Sequence, residues 1–259
     1  MSESAVVDLN ADLGESYSVW KLGADAGLLP LLTSANVACG WHGGDPRVMD
    51  ETVGLAKGAG VAVGAHPSFP DRDGFGRRVM DVTAAEAETD VLYQVAALDG
   101  FCRRHGVRMQ HVKAHGALYN HGAANAEIAK GIAAGVASFS TDLVFVALPG
   151  TQLEKAGREA GLRVAREGFI DRAYNPDGSL VSRRVPGAIH TDPEAALEQA
   201  VRMVTEHRLR CLDGTEIELH VDTLCCHGDN PHAIEFVGRV REALAAAGVA
   251  VRPMRDGAG

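Results

Sequence analysis

The sequence has no long apolar run. No uncharged stretch reaches the roughly 18 residues that a membrane-spanning helix needs, because the best candidate, residues 131–148, contains Asp142. The first ten residues, MSESAVVDLN, also lack the basic and apolar regions of a secretory signal. We therefore expect a cytoplasmic protein with no membrane partner.

Basic charge and cysteine are also scarce. The 259 residues include 25 Lys and Arg against 34 Asp and Glu, a formal net charge of −9, which argues against nucleic acid as a partner. The five cysteines form no C-x-x-C pair, so reduced thiols of a cytosolic protein are expected. Cys39, Cys225 and Cys226 are interpreted as small strand-filling residues, since no base can be assigned that would activate their thiols.

Nucleotide-binding motifs are missing as well. The chain contains neither G-x-x-x-x-G-K-[ST] nor a G-x-G-x-x-G that follows a strand. Gly40, Gly43 and Gly44 could bring backbone amides to a phosphate at the helix start marked by Asp45 and Pro46, but this signal alone is weak.

Short apolar runs alternate with segments of helical spacing along the whole chain. The seven runs are residues 5–9, 34–39, 61–65, 110–114, 143–148, 163–167 and 222–226. Helix starts are marked by a capping box, Thr83 to Glu86, and by Asp45-Pro46, Asp192-Pro193 and Asn230-Pro231. Seven strand–helix units without a linker predict one α/β domain over residues 1–259, an irregular seven-stranded β/α barrel. Residues 249–253 could add a vestigial eighth strand, and residues 168–191 are expected to cover part of the molecule.

Polar side chains beside glycines follow six of the seven predicted strands. They are Asp8, Asn10, Asp12 and Glu15; Asn36, His42 and Asp45; His66, Asp71, Arg77 and Arg78; Lys113, His115, Tyr119 and Asn120; Glu167, Asp171, Arg172 and Tyr174; and His227, Asp229 and Asn230. Because the carboxyl ends of barrel strands form one face, where catalytic groups gather, we predict one site built from six segments.

Several of these residues have two interpretations. Asp12 could cap a helix or act as a general base. Lys113, inside a strand, could pair with a carboxylate or stabilise a developing oxyanion. Arg77 and Arg172 could form salt bridges or bind a carboxylate or phosphate of the substrate. Asp12 with two or three histidines could also hold a zinc-like ion, although no H-E-x-x-H motif is present, so metal binding stays open.

Five motifs, in order along nearly the whole chain, resemble the family of 5-oxoprolinase A subunits, also called the LamB/YcsF family. They are DLNADLGE, SANVACGWHGGDP, GVAVGAHPSFPDRDGFGRR, QHVKAHGALYN and CCHGDNP. Ala114 stands where the family commonly has proline. The resemblance implies a barrel of the glycoside hydrolase/deacetylase type. It also implies ATP-dependent ring opening of 5-oxo-L-proline to L-glutamate, together with subunits B and C.

Opening a lactam requires a base for water, donors for the oxyanion and an acid for the leaving nitrogen. The predicted catalytic residues are Asp12, His42, His66, Lys113, His115 and His227. The predicted substrate-binding residues are Asn10, Glu15, Asn36, Asp45, Arg77, Tyr119, Asp171, Arg172 and Asp229. Candidate metal ligands are Asp12, His42 and His66, and ATP is expected as co-substrate, bound largely by the partner subunits. A metal-dependent carbohydrate deacetylase or other amidohydrolase, and a non-catalytic substrate-binding subunit, are the alternative functions.

Overall fold

The computed structural model describes residues 5–190, 192–226 and 233–254. The strands are β1 (Val6–Leu13), β2 (Ser34–Ala38), β3 (Ala62–His66), β4 (Met109–Lys113), β5 (Val144–Ala147), β6 (Arg163–Phe169), β7 (Arg208–Arg210), β8 (Glu216–Glu218), β9 (Thr223–Cys226) and β10 (Ala250–Val251). The helices are α1 (Asp25–Leu28), α2 (Pro46–Ala59), α3 (Ala84–His105), α4 (Gly116–Ala124), α5 (Ala126–Phe139), α6 (Gln152–Glu159), α7 (Pro193–Thr205) and α8 (Ala233–Ala246). Among the described helices, none has both the length and the apolar character needed to cross a membrane.

Seven parallel strands form a closed barrel. Strands β1 to β6 pair in chain order, and β9 pairs with both β6 and β1. These strands are the seven apolar runs of the sequence, so the predicted seven-stranded barrel is confirmed. The predicted eighth strand is the two-residue β10, which pairs only with the start of β1, Val6 to Ala250 and Val7 to Val251.

Three helix starts in the described residues follow the predicted capping signals. Asp45 accepts hydrogen bonds from the amides of Arg47 and Val48 at the start of α2, and Asp192 accepts one at the start of α7. Thr83 forms a complete capping box at the start of α3. Each cap supplies an acceptor for amides that have no partner within the helix. The predicted start at Asn230-Pro231 lies outside the described residues.

In the long segment after β6, residues 170–190, one arginine side chain binds two backbone carbonyls. The buried Arg172 guanidinium donates to the carbonyl oxygens of Val181, at 2.6 Å, and Ala188, at 3.4 Å. Because a buried guanidinium needs acceptors for its protons, Arg172 links these two parts of the segment, which we call the cover segment.

The antiparallel hairpin of β7 and β8, between α7 and β9, was not predicted from the sequence. The signal was present in Asp213-Gly214, a dipeptide typical of tight hairpin turns. Gly214 has φ +88°, a conformation that favours glycine.

Candidate active site

The carboxyl end of the barrel gathers one carboxylate and three imidazoles on four neighbouring strands. Asp12 lies on β1 and His66 ends β3, while His42 and His115 lie in the loops after β2 and β4. His42, His66 and His115 are each at most 4% exposed, and the Asp12 side chain is 14% exposed. The parallel strands bring these groups together because all their carboxyl ends face the same way.

Both carboxylate oxygens of Asp12 contact neighbouring side chains. Its Oδ1 atom accepts from Lys113 Nζ and from Asn36 Nδ2, each at 2.9 Å. Its Oδ2 atom faces His66 Nε2 at 3.2 Å. Asp12 and the Lys113 ammonium form an ion pair, and the Asp12 side chain, 14% exposed, borders the solvent at the mouth.

Lys113 is a buried cation whose three protons are all used. Besides Asp12, its Nζ atom lies 2.8 Å from Glu167 Oε1 and donates to Cys225 Sγ at 3.1 Å. Burial alone would lower the pKa of Lys113, but the charges of Asp12 and Glu167 outweigh it and hold that pKa well above its ordinary value. Lys113 therefore stays an ammonium, and it reaches a substrate oxygen only by giving up one of these partners.

Buried amides continue this network towards the centre of the barrel. Asn36 Nδ2 donates to Asn10 Oδ1 at 2.7 Å, and Asn10 Nδ2 donates to Thr223 Oγ1 at 2.7 Å. His111 Nε2 donates to Asn36 Oδ1 at 2.8 Å. Because the hydrogen bonds of this network polarise and orient its members, Asn10 and Asn36 act here as supports that orient Asp12.

The three histidines are in mutual contact. The rings of His42 and His115 stack at 3.6 Å with 2° between their planes, and His66 meets His115 edge-on at 4.8 Å. Burial, and then neighbouring histidines, lower the pKa values of His42 and His115 well below the ordinary range. Gly76 (φ +63°) allows this packing, because a Cβ atom there would lie 2.7 Å from the ring of His115.

Four side chains could hold a metal ion. Glu15, His42, His66 and His115 each offer one ligand atom, and these atoms lie within 4.8 Å of one another. Two of the three predicted candidate ligands, His42 and His66, belong to this set. The third, Asp12, lies beside it, in contact with His66.

The other predicted substrate-binding residues are spread more widely. Tyr119 is buried beside Phe169, with ring centroids 6.0 Å apart, and burial followed by the charge of Glu167 raises the pKa of Tyr119 well above its ordinary value. Arg77 is exposed, with its guanidinium 5.0 Å from the ring centroid of Phe75, whose carbonyl accepts from His115.

Three further predicted residues have contacts away from the cluster. Asp45 caps α2 and accepts from the amide of Ser18 at 2.8 Å, Arg172 binds the cover segment, and the carbonyl of Asp171 accepts from the amide of His190. Their predicted substrate contacts stay predictions. His227 and Asp229 lie outside the described residues.

Sequence reasoning placed Glu167 among the polar residues at the strand ends that form the predicted site but gave it no catalytic or substrate-binding role. The structure brings its carboxylate, which is fully buried, to Lys113. The sequence did contain a signal for this pair: Lys113 and Glu167 both stand in apolar strands, and a buried lysine requires a carboxylate partner. Burial raises the pKa of the Cys225 thiol well above its ordinary value, in agreement with its interpretation as a strand-filling residue.

A short apolar turn stands beside this mouth of the barrel. Tyr17 and Trp20 pair through their backbones and stack at 6.2 Å, and Arg72 packs over the Tyr17 ring. Val19 is 80% exposed and Trp20 68% exposed. We call residues 17–20 the rim turn.

Comparison with known proteins decides the family. The family model described as the LamB/YcsF family matches residues 7–259. The chain belongs to the LamB/YcsF family. A relative from Pyrococcus furiosus, named as the A subunit of 5-oxoprolinase, is 50% identical over 250 residues, which cover 96% of this chain and 98% of the relative.

Solved structures agree with the family and with the fold. A lactam utilization protein from Thermus thermophilus matches with a TM-score of 0.91 at 51% identity, over 95% of this LamB/YcsF chain and 99% of that chain. A T48 deacetylase matches with a TM-score of 0.50 at 14% identity, over 98% of this chain and 90% of that chain. The second likeness shows the fold alone, and it agrees with the predicted deacetylase type of barrel.

Proposed function

We propose that this chain is the A subunit of an ATP-dependent 5-oxoprolinase, which opens the ring of 5-oxo-L-proline to give L-glutamate. The observation that carries the proposal is the 50% identity, over nearly the full length of both chains, to a protein named as a 5-oxoprolinase A subunit. The barrel mouth supports it, because a carboxylate reachable from solvent lies there among buried ionisable groups.

The proposed reaction adds water to the lactam carbonyl carbon and breaks the bond from that carbon to the ring nitrogen. Asp12 takes a proton from the attacking water, and the same proton is delivered to the leaving nitrogen, so that the product is an amino acid. Asp12 suits this role because Lys113 and Asn36 orient its carboxylate, which is 14% exposed and contacts His66, a second group that can carry a proton.

Lys113 acts in this proposal mainly through Asp12. Its protons are committed to Asp12, Glu167 and Cys225, so it keeps the base ionised and oriented. Arg77, exposed near Phe75, is the proposed partner of the substrate carboxylate, because guanidinium binds a carboxylate with two parallel hydrogen bonds.

ATP and the partner subunits complete the proposed enzyme. Phosphoryl transfer from ATP to the lactam oxygen would make the ring carbon more reactive towards water. Breaking of the bond to nitrogen would then leave an acyl phosphate, and a second water would release phosphate from it to give glutamate. We assign most of the nucleotide site to subunits B and C. The rim turn supports a partner at the mouth, because exposed Val19 and Trp20 form an apolar surface that a second protein can bury. Five buried free cysteines support a cytoplasmic location.

The test is ATP-dependent release of glutamate from 5-oxo-L-proline by this chain mixed with subunits B and C. Asp12→Asn is expected to lower kcat at least a hundredfold, since general-base catalysis contributes about 10²–10⁴, while assembly is retained. The matched control is Asp50→Asn, whose carboxylate pairs with Arg104 and His105 outside the barrel, and full activity is expected. No glutamate from the wild-type mixture, or equal rates for wild type and Asp12→Asn, would contradict the proposal.

The partner surface has its own test. Val19→Asp with Trp20→Asp is expected to abolish co-purification with subunits B and C while the chain stays folded, because charge on the rim turn cannot be buried in an apolar interface. Leu55→Asp, at an exposed leucine of α2, is the control and is expected to co-purify normally. Loss of co-purification in both variants, or in neither, would exclude the rim turn as the docking surface.

A further inference from the structure

Two buried imidazole nitrogens face each other at hydrogen-bond distance. His66 Nε2 and His115 Nδ1 lie 3.0 Å apart. The other nitrogen of His66 lies 2.7 Å from the Lys113 carbonyl oxygen, and the other nitrogen of His115 lies 2.8 Å from the Phe75 carbonyl oxygen. A carbonyl oxygen only accepts, so each of these outer nitrogens must carry the proton of its ring.

In the neutral rings, the two inner nitrogens therefore present lone pairs to each other. Two acceptors at hydrogen-bond distance repel unless a positive charge lies near both. The Asp12 Oδ2 atom lies 3.2 Å from His66 Nε2, and the Glu15 Oε1 atom lies 3.7 Å from His115 Nδ1, so the negative charge around these two nitrogens favours a cation between them. A metal cation, which binds neutral imidazole through its lone pair, satisfies both nitrogens at once.

Further ligand atoms lie close to this pair of nitrogens, and one of the stacked rings of His42 and His115 turns when both bind the same ion, because an imidazole lone pair lies in the plane of its ring. Glu15 Oε1 lies 3.7 Å from His115 Nδ1 and 3.0 Å from His42 Nε2. In a tetrahedral zinc site with bonds of about 2.0–2.1 Å, neighbouring ligand atoms are separated by about 3.3–3.4 Å. The spacings of 3.0 and 3.7 Å bracket that value, and the four ligand atoms lie within 4.8 Å of one another.

We propose that Glu15, His42, His66 and His115 form a binding site for one divalent transition-metal ion of the zinc type. Three imidazoles and one carboxylate are the ligands of borderline cations, whereas magnesium and calcium prefer sets made of oxygen atoms alone. This set includes Glu15 and His115, and it leaves Asp12 as a neighbour that contacts His66 at 3.2 Å.

The role of the ion rests on the proposed function, but its binding does not. An ion in this set would supply Lewis-acid polarisation of a substrate carbonyl at the mouth. Asp12, next to His66, would remain the residue that takes the proton from water. Hydrogen bonds to the carbonyls of Lys113 and Phe75 orient the two rings in the way that outer partners orient metal-binding histidines.

The test measures metal binding by the chain alone, without 5-oxo-L-proline or ATP. Protein stripped with a strong chelator is titrated with Zn²⁺ against a chromogenic competitor and, separately, with Co²⁺, whose visible absorption reports coordination. One Zn²⁺ per chain is expected. His66→Gln and His115→Gln are each expected to weaken binding at least tenfold, and Glu15→Gln, which keeps all three rings, serves if a histidine variant does not fold.

His105→Gln is the matched control. His105 also pairs with a carboxylate, Asp50, at 2.9 Å, but it lies outside the site, so unchanged affinity is expected. Absence of stoichiometric Zn²⁺ binding, or affinity unaffected by loss of His66 and His115, would overturn the metal site. So would nitrogen NMR showing one proton shared by the two rings in the presence of excess Zn²⁺.

The result separates this inference from the proposed function. If the chain binds no Zn²⁺ and the complex still opens the lactam ring after chelation, the metal site is wrong and the function stands. If the chain binds one ion through these ligands and the complex releases no glutamate, the metal site stands and the proposed function is wrong.

Discussion

The Lys113 Nζ atom lies 2.8 Å from the Glu167 Oε1 atom, and both side chains are at most 3% exposed. The pair joins β4 to β6 across the barrel interior, and Asp12 on β1 completes it from the opposite side. A buried cation of this kind is tolerated only while its carboxylates remain. The stability of the barrel and the orientation of the site residues therefore depend on the same charges.

Lys113→Met is expected to destabilise the protein by about 3–5 kcal/mol, because it leaves Glu167 buried without a counter-charge. Urea unfolding at pH 7 measures the change. The control is Lys130→Met, which removes an ammonium equally close to a carboxylate, 2.8 Å from Glu127, but exposed on α5. A loss of at most about 1 kcal/mol is expected there. Similar losses in both variants would contradict the prediction.

Gly64→Ala is expected to destabilise the protein by about 1–3 kcal/mol, the range for overpacking of a core. A Cβ atom at Gly64 would lie 2.2 Å from the ring of His111, which would then lose its bond to Asn36. Gly58→Ala in α2 is the matched control, since a Cβ atom there meets nothing within 4 Å. That variant is expected to gain about 0.5–1 kcal/mol from helix propensity. Thermal unfolding measures both variants, and the change in melting temperature is expected to be negative for Gly64→Ala and positive for Gly58→Ala.

The buried His111 is expected to lower the free energy of unfolding as the pH falls. Burial, and then the charges of Lys113 and His66, lower the pKa of His111 to about 3. Unfolded His111 binds a proton below about pH 6.5, whereas the folded form stays neutral until about pH 3, so falling pH favours unfolding throughout this window. Relative to His111→Gln, the wild type is expected to lose about 1 kcal/mol of unfolding free energy per pH unit between pH 6 and 4.5. Parallel urea-derived profiles for the two proteins would contradict the assignment.

Arg172→Lys is expected to loosen the cover segment without unfolding the barrel. The guanidinium reaches two carbonyls, Val181 and Ala188, and a lysine ammonium cannot reproduce this planar geometry. Faster amide hydrogen exchange is expected at residues 173–188, with unchanged exchange in β1 to β6. Arg208→Lys, at an exposed arginine, should leave the exchange of residues 173–188 unchanged. Equal protection in wild type and Arg172→Lys would show that other contacts hold the segment.

The barrel could be predicted from the sequence because each barrel strand is a local apolar run, and because capping signals mark the starts of some of the helices between the strands. The site could be located for a related reason: once parallel strands are assumed, their carboxyl ends must meet. Asp12, His66 and Lys113 could be assigned to one mouth on this ground alone. The family was confirmed by the family model that matches residues 7–259, and the fold type by a solved structure that matches over 95% of the chain.

The pairing of individual atoms could not be predicted in the same way. Lys113 was expected either to pair or to face a substrate, and only the three-dimensional arrangement brings Glu167, 54 positions away along the chain, to its ammonium. Arg172 and Asp45 carry residue types suited to ligand binding, but their observed partners are backbone groups. The sequence shows which chemical groups are present, but the partner of each group is known only from the three-dimensional structure.

The hydrogen bond from Asn10 to Thr223 spans 213 positions of the chain, and it has a consequence for biosynthesis. Strand β1 leaves the ribosome first, but it cannot close the barrel until β9 has been made, because β9 supplies its second neighbour. Until then Asp12 and Lys113 lack the enclosure that orders them, and contacts between distant segments form slowly. A nascent chain that ends before β9 should therefore contain most of the helices but not the ordered site at the mouth. The site is expected to form late in translation and in one step, when β9 pairs with β1.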